Sequence, residues 1–102
     1  MTKTPPTAAA AALRACRLWR TASDDAVERL EAAAFVRQAP RGTLLVTEGD
    51  AAERLGVVAS GRLRVFHRSA DGRTIVLETA ERGEAVGAIA ALAGGRHPAN
   101  VD

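Results

Sequence analysis

Tyrosine is missing from this chain of 102 residues, and Trp19, Phe35 and Phe66 are its only aromatic side chains. A packed interior must therefore be mostly aliphatic, and no run of aromatics is available to stack nucleobases. The single cysteine, Cys16, excludes an intrachain disulfide and any cluster held by several thiolates of one chain. It reads as an inert helix cysteine, and a reducing cytoplasm is the compartment that suits such usage. Histidine is equally scarce. With only His67 and His97, and no His-x-His pair, no metal is expected, and a metal oxygenase or isomerase fails on ligand count. No Ser/His/Asp or Cys/His set, P-loop or dinucleotide fingerprint occurs, so the chain is not expected to be an enzyme.

Long apolar runs and a dominant charge are lacking too. Nothing approaches the ~20 apolar residues of a membrane span, so no membrane partner is expected. Residues 8–13 are apolar but only six long, and Arg14, Arg17 and Arg20 follow. A secretory core wants roughly 7–15 residues. The alanine and arginine bias fits a GC-rich bacterial genome better than a targeting role. Fourteen cationic side chains against twelve anionic ones leave a net charge of +2, well short of a nucleic-acid footprint. Arg62, Arg64, Arg68 and Arg73 converge near one turn and read as a solvated sheet face.

What the chain does have is a metre of glycines. Gly49, Gly61, Gly72 and Gly83 stand 12, 11 and 11 residues apart, with Gly42 just before them. Between them lie short runs of Val, Leu, Ile and Thr. Turn signals at this interval mark an all-β roll, barrel or sandwich. Residues 35–39, 43–47, 55–59, 62–68 and 73–79 are the strand candidates, with Asp71-Gly72 a strong hairpin turn. In the fourth, Leu63, Val65 and His67 share one face while Arg62, Arg64, Phe66 and Arg68 share the other.

Ahead of the strands, residues 1–7 read as a disordered lead-in carrying Pro5-Pro6. The N-terminal helices occupy 8–34. Alanine favours a first helix over 8–17. A second runs to about Ala34 from an N-cap at Ser23, with Asp24 and Asp25 in its first turn. Near the end, residues 88–92 form a short helix closed by Gly94-Gly95. Residues 96–102 begin a further strand, so the chain is expected to be a fragment.

Leu18-Trp19, Ser23-Asp24, Arg41-Gly42, Glu48-Gly49-Asp50, Ser60-Gly61-Arg62 and Asp71-Gly72-Arg73 recur here in a telling order. So do Gly83-Glu84, Val86-Gly87 and Arg96-His97-Pro98-Ala99. Together they make residues 13–102 resemble the N-terminal sensory domain of Crp/Fnr-type transcription regulators. The resemblance implies a mainly β fold, a cyclic-nucleotide-binding-like β-roll of double-stranded, jelly-roll type over 35–102. It has N-terminal helices and one short cassette helix, and is incomplete before the last strands, the dimerisation helix and the helix-turn-helix. It also implies a homodimer in the full-length protein, with DNA bound only through a C-terminal domain absent here.

In relatives that bind a cyclic nucleotide, a glycine and a glutamate open a phosphate-binding cassette, and an arginine near its end pairs with the cyclic phosphate. Gly87 stands at that glycine. Ala88, followed by Ile89, takes the glutamate's place, and a methyl group accepts no hydrogen bond. Counting back from Ala99, His97 falls at the phosphate arginine, with Arg96 one place earlier and Pro98 restricting its neighbour. The effector cassette is thus Gly87, Ala88, Ile89, Arg96, His97, Pro98 and Ala99, altered at its two most ligand-specific positions. The implied role is a sensory domain that does not answer cyclic AMP in the ordinary way, with no cofactor. Two other readings stay open: a cyclic-nucleotide module regulating an enzyme, kinase or transporter, and a free-standing interaction domain.

Overall fold

Alanine-rich residues 7–15 coil into helix α1 (Thr7–Ala15), and a single 3-10 turn at Arg17–Trp19 follows. The structure, a computed structural model, describes residues 7–102. Apart from Thr7, which opens α1, the expected lead-in lies outside the described residues. Helix α2 (Asp24–Ala33) starts where the sequence expects: the Ser23 hydroxyl accepts from the Ala26 N–H at 3.2 Å, and Asp24 and Asp25 sit in the first turn. Such a cap stabilises a helix by about 1 kcal/mol. An Arg14–Glu31 ion pair ties α1 to α2, and the Trp19 indole donates to the Leu13 carbonyl at 2.6 Å.

The strands that follow are all antiparallel. They are β1 (Gly56–Val57), β2 (Arg62–Arg68), β3 (Thr74–Glu81), β4 (Ala85–Val86) and β5 (Asn100–Val101), with helix α3 (Ala88–Ala93) between the last two. β1 pairs with β4, while β2 lies between β3 and β5. The five turn glycines, Gly42, Gly49, Gly61, Gly72 and Gly83, all have φ between 79° and 90°. Val58, Ala80, Val86 and Val101 form the roll's core, with Val46, Leu63 and Val65 packed against them. A second cluster of Cys16, Trp19 and Val27 meets Leu13, Leu55, Val57 and Ala85, docking the helices onto the β1–β4 pair.

Three expectations need correction. Residues 35–39 form no strand, and residues 43–47 contribute only an isolated bridge from Val46 to Val101. Aliphatic composition makes a strand possible, but a ladder partner makes it actual, and 35–39 have none among the described residues. The first β-run is therefore an extended lead into the roll. The third correction concerns the arginine face of β2. Phe66 lies there at only 2% exposure, with the Arg64 and Arg68 guanidinium carbons 5.3 and 5.8 Å from its ring centroid. Beside it the β2–β3 register slips between Val65 and Phe66, so that β3 accommodates Leu77 as an extra residue. That face carries charge at its ends and a buried aromatic at its centre.

Candidate functional site

The cassette begins where β4 hands the chain to α3. Gly87 caps the helix in the left-handed region, with φ 73°, and Gly94 closes it with φ 71°. The ring of His97 explains why residue 87 must lack a side chain. A Cβ built on Gly87 would stand 3.0 Å from His97 Cε1, 3.5 Å from its Nδ1 and 3.5 Å from the Arg54 carbonyl oxygen. The first residue of the cassette thus touches the imidazole near its end. His97 is 8% exposed and is the buried polar side chain among the described residues. Ala88 is half-buried and presents a methyl group, Ala99 is buried, and Pro98 is exposed. Ile89 and Leu92 project from α3 at 86% and 70% exposure.

The base of the cassette is held by the turn at 48–52. The Gly49 N–H donates to the His97 carbonyl and the His97 N–H to the Asp50 carbonyl, both at 2.9 Å. The Ala52 N–H donates to the Gly95 carbonyl at 3.0 Å, and Ala51 bridges Arg96. The Glu48 N–H donates to Asn100 Oδ1 at 2.9 Å, and the Glu48 carboxylate meets His67 Nδ1 at 2.5 Å. His67 is thereby a half-exposed partner of that turn. Glu48, Asp50 and Asn100 are the working residues that local reading missed. An acceptor-bearing Asn100 some 52 residues away from Glu48 gives no local signal of the pairing.

Two arginines, Arg96 and Arg54, have their partners at the base of the cassette and on a nearby ring. Arg96 Nη1 donates to the Gly49 carbonyl at 2.8 Å. Arg54 contributes its carbonyl beside Gly87, while its guanidinium lies over the Phe35 ring, 5.1 Å from the centroid. A cyclic phosphate needs a charge-assisted donor and a ribose hydroxyl needs an acceptor. At 88, 96 and 97 the chain offers a methyl, an exposed guanidinium with one donor on the Gly49 carbonyl, and a packed imidazole. Two cavities lie elsewhere. One of 240 Å³ is lined by Cys16, Trp19 and Val27; one of 730 Å³ runs between Cys16–Leu18 and residues 78–85. Among the described residues no cluster of three metal-ligating side chains occurs, and no helix is long and apolar enough to cross a membrane.

Comparison with known proteins gives this geometry a family. Among solved structures, the N-terminal domain of a transcriptional regulator from Streptomyces coelicolor A3(2) is 29% identical over 88% of this chain and 64% of its own, with a TM-score of 0.76. A regulatory protein of Silicibacter pomeroyi DSS-3, provisionally described as cAMP-binding, is 27% identical over 95% of this chain and 44% of its own, at a TM-score of 0.86. A cAMP-binding acyltransferase from Mycobacterium smegmatis is 35% identical over 90% of this chain but 28% of its own, at 0.67. The chain therefore spans less than two thirds of the length of each. No curated protein matches the sequence. The family model of the cyclic nucleotide-binding domain matches residues 36–102, two thirds of the chain and all of its strands and cassette, and the chain belongs to that family of regulatory domains.

Proposed function

We propose that this domain is the sensory, effector-binding part of a Crp/Fnr-type transcription regulator of the bacterial cytoplasm, and that it does not respond to cyclic AMP in the ordinary way. The observation that carries the second clause is the pairing of a methyl at 88 with a buried imidazole at 97. The Ala88 side chain has no acceptor, His97 stands where the family's arginine would be and is packed on Gly87, and Arg96 places its Nη1 on the Gly49 carbonyl. The regulator reading is supported by the likeness to the Streptomyces coelicolor regulator domain over most of this chain. In the whole protein the domain would act within a homodimer, a change at the cassette shifting the balance between two arrangements of that dimer. DNA would be bound by a separate domain. The acyltransferase likeness favours one alternative, a cyclic-nucleotide module that regulates an enzyme. Calorimetric titration with cyclic AMP and cyclic GMP separates the two. No saturable heat is expected at micromolar nucleotide, and a saturable heat there would overturn the proposal in favour of the nucleotide-regulated module.

A further inference from the structure

We infer that the His97 imidazole is an internal plug that holds the cassette shut without a ligand. This inference rests on the reading of the site above and goes one step past it: the cassette is not merely stripped of nucleotide grips but filled from within. Closing a loop of a dozen residues is entropically unfavourable, and a bound ligand is one way to offset that cost. Here the loop meets its own beginning instead. The ring lies so near the Gly87 Cα that a single added methyl would stand 3.0 Å from Cε1. Its backbone is anchored on both sides, through the Gly49 N–H to the His97 carbonyl and the His97 N–H to the Asp50 carbonyl.

The part between the two ends has little to hold it down. α3 buries Ala90 and leaves Ile89 and Leu92 largely in water. It is bounded by two left-handed glycines, which are suited to act as hinges. A short helix with weak burial and flexible ends depends on its base for its position. The imidazole is the one cassette side chain buried at that base directly against residue 87. Withdrawal of the ring would free α3 to move, so an activating signal works by displacing His97 rather than by filling an empty cradle. The plug is a matter of shape, not of charge.

Hydrogen exchange on the full chain tests this, comparing wild type with His97→Ala and His97→Leu. In His97→Ala the amides of α3 and Gly94 should exchange about tenfold faster or more, while those of β2 and β3 keep their rates. Leucine, apolar and of similar bulk, should keep the α3 amides near wild type. Free imidazole at millimolar concentration should slow α3 exchange in His97→Ala and leave wild type unaffected. Unchanged α3 rates in His97→Ala would overturn the inference. So would equal acceleration throughout the sheet, loss of protection in His97→Leu, or indifference of His97→Ala to imidazole. Should His97→Ala fail to fold while His97→Leu folds, the plug is structural for the whole domain and the inference as stated is wrong. Micromolar binding of cyclic AMP to wild type would remove the functional reading above, while the exchange results would still decide the plug.

Discussion

A ladder interrupted only at Leu77 runs from Arg62–Glu81 to Arg68–Thr74 in the β2–β3 hairpin, whereas the cassette owes its shape to bonds with a turn some 47 residues earlier in the chain. The hairpin is assembled from neighbours: Asp71-Gly72 reverses the chain, Ser69 and Arg73 close the turn with a 2.8 Å backbone bond, and alternation does the rest. The cassette is assembled from strangers. Its own helix contributes little burial, and its base is set by residues 48–52. The contrast separates two kinds of stability in one small domain, a locally encoded frame and a loop whose position depends on distant partners. In a sensor such a division is useful, because the part that must move is attached through a few identifiable contacts rather than through the core.

The most severe way to break this contrast is to damage the frame. Phe66 is the largest fully buried side chain and sits at the middle of β2, opposite Val76 on one side and Asn100 on the other. Truncating a buried phenylalanine to alanine typically costs 3–5 kcal/mol, through lost transfer energy and a residual cavity. We expect Phe66→Ala to lower stability by about 3 kcal/mol in denaturant unfolding. Hairpin and cassette should loosen together, since β5, which pairs with β2, directly follows the cassette. A loss under about 1 kcal/mol would mean that the arginine stems alone sustain this face.

A second experiment sharpens the contrast by placing the same substitution in both regions. Gly61, which opens β2, has φ 79° and nothing within 4 Å of an added Cβ; Gly87 has φ 73° and the His97 ring at 3.0 Å. The left-handed backbone costs an alanine about 1 kcal/mol at either place. Only Gly87→Ala adds a steric conflict, so it should lose about 1–2 kcal/mol more than Gly61→Ala. The excess should appear in the α3 amides. Equal losses at the two glycines would show that the imidazole yields without resistance.

The same division explains what could be read from the residues alone. β2 was legible to its last residue because Gly61 and Asp71-Gly72 bracket it, and α2 because Ser23 and two aspartates announce its start. Gly87 and Gly94-Gly95 similarly delimit α3. The segments 35–39 and 43–47 have the composition of strands, but composition cannot supply a ladder partner. Alternation correctly groups Phe66 with Arg64 and Arg68 but does not reveal that the ring is buried beneath their guanidinium groups. At the site, Ala88 and His97 stand out from the sequence through the resemblance alone. The burial of His97 and the engagement of Arg96 with Gly49 do not, since both depend on a turn far away in sequence.

The gentlest test concerns the join between frame and cassette exit. Arg64 grips Asp102 through Nε–Oδ1 at 2.9 Å and Nη2–Oδ2 at 2.7 Å, while their backbones exchange bonds at 2.8 and 3.0 Å. The Arg64 side-chain hydrogen bond, aided by its charge and that of Arg68 and opposed by desolvation, holds the Asp102 carboxyl below its usual range. A carboxylate with a lowered folded pKa contributes stability that is fully present above the ordinary carboxylate value and disappears as pH falls through the folded one. The Arg64 guanidinium, raised by the same bond, loses its share only above its own ordinary value, far into alkali. Arg64 is half exposed, so water screens the pair and the effect is the smallest of the three. Asp102→Asn should unfold at slightly lower denaturant than wild type at pH 7, with the gap narrowing once pH falls below the ordinary carboxylate value of about 4 and closing as it passes through the lowered folded one. A gap that persists undiminished into acid would show that the asparagine disturbs the β2–β5 backbone pairing itself, and that the charge of this pair contributes nothing to the join.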